Sequence, residues 1–250
     1  STHSDKWAKW LNDGNIIKFS PEAVETVIEQ YKNLAGETLY IDISGGEPLL
    51  QEEVPILASR LKKHGITIEL SVTTNGTVPV KVLKSLFDNV DKGNVTISLD
   101  GVGKVGEYIR AGTDWKRYEE NVFDYNVYAN THNHLTINHF TTIQALNIGH
   151  IDDILEWIDN NHNSFGSPFR HHYLLRPEIL RHTTLPHSIR KKYLENTSER
   201  GKRYIGNALK LESEDFRFGH FIQYLNRTDL KNGTNWKDIW PEFEEYINES

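Results

Sequence analysis

Apolar and polar positions along the chain switch repeatedly between two periods. Ala23, Val24, Val27, Ile28 and Tyr31 recur at helical spacing behind Ser20-Pro21, an N-cap followed by a residue suited to the first turn. This predicts a helix over 21–35, stopped at Gly36. TLYIDIS (38–44) reads as a strand, and GGEP (45–48) breaks it. Val54, Leu57, Ala58 and Leu61 form one stripe of a helix over 52–64, and Gly65 ends it. The strand ITIELSV (66–72) runs into TTNGT (73–77), a helix follows at 79–88, and the strand NVTISL (94–99) ends at DGVG (100–103). A helix over 115–131 turns Tyr118, Val122, Tyr125 and Tyr128 or Ala129 inward. HLTINHFTTI (134–143) is a strand followed by the loop QALNIG, and the helix at 150–161 carries Ile151, Ile154, Leu155 and Ile158. FRHHYLL (169–175) is the last strand and ends at Arg176-Pro177.

Strict alternation of five strands with helices of 10 to 17 residues implies right-handed βαβ crossovers and a mostly parallel sheet, open or a partial barrel. The pattern changes near residue 178. A basic helical stretch covers 186–211, shorter helices are predicted at 214–226 and 241–248, and Trp236 and Trp240 are expected as packing anchors. The expected division is an α/β body over 1–180 and a C-terminal helical extension over 181–250.

Composition narrows the function classes. A net charge of −7 speaks against a non-specific nucleic-acid or acidic-membrane binder, which needs a basic face. No apolar run is long enough to span a membrane and the start has no signal-peptide core, so the chain is expected to be soluble and cytoplasmic. The chain contains no cysteine, which excludes disulfides, zinc thiolate sites, a cysteine nucleophile and a cluster held by its own thiolates. It also contains no methionine, so Ser1 is read as a processed start or an internal cut. The 12 histidines show no metal-ligand spacing: His132, His134 and His139 share none, and His171 and His172 are neighbours on a strand that point to opposite faces. No metal ligand is assigned, and 189–203 reads as a solvated basic helix face.

The polar motifs gather after strands. GGEP, TTNG, SLDG, TTIQALN and LLRP each follow one, and in parallel α/β folds the βα loops converge on the carboxyl edge of the sheet. Gly45 and Gly46 let backbone approach a ligand, and Glu47 suits an ammonium; read alone they are equally a left-handed turn with a solvated glutamate. Asn75-Gly76 is a common turn dipeptide. Ser98 and Asp100 lie two apart and face one side, where a carboxylate can bond ribose hydroxyls or close a routine turn. Arg110 suits a carboxylate or phosphate clamp, or a surface ion pair.

This ordered set of loops resembles the radical S-adenosylmethionine (radical SAM) superfamily, in the branch with a SPASM or twitch extension, over roughly residues 1–180. The resemblance implies a partial (β/α)6 TIM-like barrel, here without its first strand. It implies that Gly45, Gly46 and Glu47 bind the SAM amino group, with Pro48, Thr74 and Asn75 also among the cofactor-binding residues. Ser98 and Asp100 would contact the ribose region and Arg110 the carboxylate. Thr141 to Asn147 and Leu175 to Pro177 would line the cofactor and substrate side, with Asn147 among the cofactor contacts. The family holds a [4Fe–4S] cluster on a C-x3-C-x2-C loop and draws electrons from a reductant such as flavodoxin or ferredoxin. It cleaves SAM to a 5′-deoxyadenosyl radical that abstracts hydrogen, here expected from a peptide, protein or other substrate. STHSDKWAKWL resembles the segment just after the third cysteine, which places the first strand and cluster loop ahead of Ser1. The chain by itself is expected neither to bind a cluster nor to cleave SAM. The alternative is a non-catalytic relative that binds SAM or a protein partner without a cluster.

Overall fold

A computed structural model describes residues 20–161 and 169–249. The described residues divide into two compact units, one within 1–74 and 78–94 and one within 75–77 and 95–250.

In the first unit, α1 (Pro21–Tyr31) starts where the sequence places it, with the Ser20 hydroxyl accepting from Ala23 N at 3.3 Å. Strand β1 (Thr38–Ile43) leads through a single 3₁₀ turn, Pro48–Leu50, to α2 (Glu53–Lys63). Strand β2 (Thr67–Thr74) pairs with β1 in parallel, Thr38 opposite Thr67 and Ile43 opposite Val72. Helix α3 (Val80–Phe87) follows. Leu57, Leu61, Ile68, Val72, Leu83 and Phe87 are buried in this unit. Strict alternation along β2 buries Ile68, Leu70, Val72 and Thr74 on one face. Strand β1 has no fully buried residue, and Tyr40 is exposed.

Strand β3 (Lys92–Ser98) carries the chain into the second unit. There the order is α4 (Lys104–Ile109), α5 (Trp115–Asn130), β4 (Leu135–Ile143), α6 (Ile151–Asn161) and β5 (Phe169–Tyr173). Strand β5 is parallel to β4, with His139 opposite Phe169. Helices α7 (His187–Asn196), α8 (Glu199–Leu209), α9 (Phe218–Asn232) and α10 (Pro241–Glu249) pack within the same unit. Strand–helix alternation, parallel pairing and strand order following sequence order are those of an α/β fold of the partial TIM-like barrel kind, extended by C-terminal helices. No helix among the described residues is long and apolar enough to cross a membrane.

Most predicted elements are present with shifted ends. Strand β2 runs to Thr74 and β3 begins at Lys92. The stretch 186–211 is two helices, because Ser198 caps a new one. Helix α4 has no counterpart in the sequence reading. Trp236 and Trp240 anchor the extension as expected, at 2% and 0% exposure. The Trp240 ring stacks on Phe243, and its indole N–H donates to the carbonyl of Leu146 at 3.1 Å. Arg190, expected on a solvated face, is wholly buried and donates to the carbonyls of Leu211 and Glu212. The segment STHSDKWAKWL lies outside the described residues.

Candidate functional site

In the first unit, the GGEP turn fixes one carboxylate. Gly45 and Gly46 sit at φ +95° and +59°, where a side chain strains the backbone. A Cβ at either position meets nothing within 4 Å, so conformation and not crowding requires glycine there. The turn brings Glu47, half-buried, beside the end of β2. Its Oε1 accepts from the Thr74 hydroxyl at 2.8 Å and from Leu49 N at 3.2 Å. Pro48 is buried at the first position of the 3₁₀ turn. Glu47 and Thr74 are thus joined by a hydrogen bond.

The second unit carries a larger node. Pairing of β3 with β4 continues past Ser98, with Leu99 N donating to Phe140 O at 2.9 Å. This delivers Asp100 to the strand end, with its side chain 8% exposed. Its Oδ1 accepts from Thr142 N at 2.7 Å. Its Oδ2 accepts from Arg110 Nε at 2.9 Å and lies 2.7 Å from an Arg110 Nη. Asn147, at 0% exposure, donates to the carbonyls of Asp100 and Thr142, both at 2.9 Å, and accepts from Gln144 N at 2.8 Å. One amide therefore holds the ends of β3 and β4 together. Both N–H donors of the amide are spent on backbone carbonyls, so Asn147 positions this node.

Arg110 reaches Asp100 because the intervening chain is wound tightly. Gly101 and Gly106 face one another so closely that a Cβ on Gly106 would stand 2.6 Å from the Gly101 carbonyl oxygen. Gly103 has φ +56°. Three glycines thus fold SLDGVG directly into the short α4, and Arg110 is its C-cap. Ser98 is half-buried, and its carbonyl accepts from the Tyr118 hydroxyl at 3.2 Å. Burial pushes the Tyr118 and Tyr108 phenols up, so both remain protonated donors. Asn75 closes its own turn: its Oδ1 accepts from Thr77 N at 2.9 Å and from the Thr77 hydroxyl at 2.6 Å. The turn meaning of Asn75-Gly76 is thereby realised. Gly76 is held at φ +75°, with Tyr118 where a Cβ would go.

A cavity of about 360 Å³ opens on this node, within the size range of small-molecule sites. Asp100, Arg110, Thr142 and Gln144 give it a polar wall, while Tyr224 and Thr228 of α9 face it from the extension. Of the loop stretches expected to line a site, Thr142, Gln144, Leu146 and Pro177 do so, whereas Leu175 is exposed. Tyr108, Tyr224 and Thr228 were not legible as lining residues. The one signal available was the i, i+4 spacing of Tyr224 and Thr228 on a helix. Among the described residues no group of three or more His, Cys, Asp or Glu side chains could hold a metal ion.

Residues 7–158 match the family model described as Radical SAM superfamily. No curated protein matches the chain.

Proposed function

The chain belongs to the radical SAM superfamily, and on that premise we propose that it binds S-adenosylmethionine and serves an enzyme that abstracts hydrogen from a peptide or another substrate. The observation that carries this reading is the Asp100–Arg110 node at the ends of β3 and β4, opening on a cavity of small-molecule size.

SAM presents an ammonium, a carboxylate and a ribose diol. An ionised carboxylate has about four lone-pair sites, and a guanidinium has five N–H donors. Asp100 receives three protein N–H groups and has room for one ribose hydroxyl. Arg110 uses Nε and one Nη on Asp100, so its second Nη is available for the SAM carboxylate. In the first unit, Thr74 and Leu49 N fix Glu47 in one orientation, which suits it to an ammonium. Gly45, Gly46 and Pro48 shape that turn, and Ser98 stands two residues ahead of Asp100 at the end of β3.

In this family a cluster bound to SAM supplies the electron that breaks its carbon–sulfur bond. A [4Fe–4S] cluster needs three thiolates, and these 250 residues contain no cysteine. The donor set of these residues does not fit the cluster. What this chain's own residues do is bind and orient SAM.

The missing thiolates also favour a second reading, a relative that binds SAM or a protein partner without radical chemistry. The residues encoded ahead of Ser1 separate the two. A C-x3-C-x2-C motif there, with a [4Fe–4S] electron paramagnetic resonance signal after anaerobic iron–sulfide reconstitution of that longer product, is the expected result. Its absence from the gene would leave the cluster-free reading.

A further inference from the structure

We propose that the surface groove formed by residues 215–222 and α10 docks a cationic amphipathic segment of a protein partner. The proposal is independent of the SAM reading. The groove encloses about 480 Å³ and is lined by Phe216, Phe218, Gly219, Ile222 and Tyr246, with Asp215 at its edge. Phe216 is 72% exposed in the middle of the 3₁₀ turn that precedes α9, with the Arg217 guanidinium 4.8 Å from its ring centre on one side. A Cβ at Gly219 would meet no atom within 4 Å, so the groove is open because that helix position lacks a side chain.

The surrounding charge states what fits. Helix α10, PEFEEYINE, carries Glu242, Glu244, Glu245 and Glu249 and no cation, and of these Glu244 is paired with Lys237 at 2.6 Å. Beyond Tyr246 a second hollow of about 160 Å³ is lined by Glu242, Glu245 and Glu249, with Lys192 as the one cation. Lys192 lies 3.5 Å from Glu245, an exposed pair, and Glu242 accepts from the Tyr193 hydroxyl. Among the described residues neither Asp215 nor Glu249 has an ion pair. An apolar trough bordered by excess carboxylate complements a helix or strand with large apolar side chains on one face and Lys or Arg beside them.

The test is fluorescence anisotropy of the full chain with a fluorescein-labelled amphipathic Leu/Lys peptide, beside a companion in which Glu replaces every Lys. Gly219→Leu fills the trough without changing charge, at a helical position with room for it, and far-ultraviolet circular dichroism checks that it folds. The expected result is that wild type binds the Leu/Lys peptide, that Gly219→Leu weakens it about tenfold, and that the double variant Glu245→Lys/Glu249→Lys does the same. Because the chain carries −7 overall, any protein surface could attract the peptide, and the neutral Gly219→Leu change isolates the groove. Unchanged affinity in Gly219→Leu, or equal binding of the Glu companion, overturns the proposal. Self-association of the wild type in sedimentation that Gly219→Leu abolishes would also overturn it, and would assign the groove to a second copy.

Discussion

Asn147 binds three backbone groups with one buried amide. Asn147→Ala is expected to cost roughly 2–4 kcal/mol in urea unfolding, since it leaves buried carbonyls without donors. His182 gives a pH dependence. It is buried, and neither ring nitrogen has a hydrogen-bond partner among the described residues. Burial first, and then the neighbouring Arg190 and Arg181 charges opposed by Glu214, lower its pKa to about 4. The unfolded chain therefore binds the proton more readily below the ordinary histidine value. Stability that is full at pH 7 is lost as pH falls from about 6.5 towards 4, by up to about 1.4 kcal/mol per pH unit. His182→Phe is expected to flatten that slope in denaturant titrations across this window. An unchanged slope would assign the acid sensitivity to other groups. At this scale Glu47 and Asp100 stood out in the sequence because each follows a strand in a distinctive loop, and Arg110 because it comes ten residues after Asp100. It could not see that Arg110 would spend two donors on Asp100, or that Arg190 would be buried. Both depend on partners distant in sequence or on which side of a helix meets the core.

Helices α7 and α8 show what holds the extension in place. The Asp152 carboxylate of α6 accepts from Ser198 N and from the Ser198 hydroxyl, both at 2.6 Å, and that hydroxyl also caps Gly201 N. A Cβ at Gly201 would stand 2.4 Å from Asp152 Oδ1. Gly201→Ala, helpful for helix propensity alone, is therefore expected to destabilise by about 1–3 kcal/mol and to lower the thermal midpoint. A stabilised variant would contradict this account of the α6–α8 contact. The break at Thr197-Ser198 was hard to read because a capping box wants Glu or Gln three residues after Ser198, where Gly201 stands. Helix α4 escaped for a related reason. It has six residues among Gly101, Gly103 and Gly106, too few for a period to show and too rich in glycine for propensity to favour a helix. The longer elements were legible because Val24 and Ile28, or Leu57 and Leu61, repeat a buried stripe that only a helix satisfies.

For the molecule as a whole, the alternation of elements decided the α/β class, and the loops after its strands pointed to the family that the comparison of residues 7–158 establishes. The substrate left no such mark. The cavity's far side comes from Tyr224 and Thr228 in a helix whose sequence carries no motif. Without cysteine, these 250 residues supply no thiolate for a [4Fe–4S] cluster. That makes SAM binding the claim on which the account rests. Isothermal titration of SAM into the wild-type chain, Asp100→Asn, Arg110→Gln and the exposed control Lys116→Ala measures it most directly. The account predicts one saturable site, unchanged in Lys116→Ala and weakened about tenfold, or about 1.4 kcal/mol, in each of Asp100→Asn and Arg110→Gln. No saturable heat in the wild type, or wild-type affinity in both site variants, would contradict it.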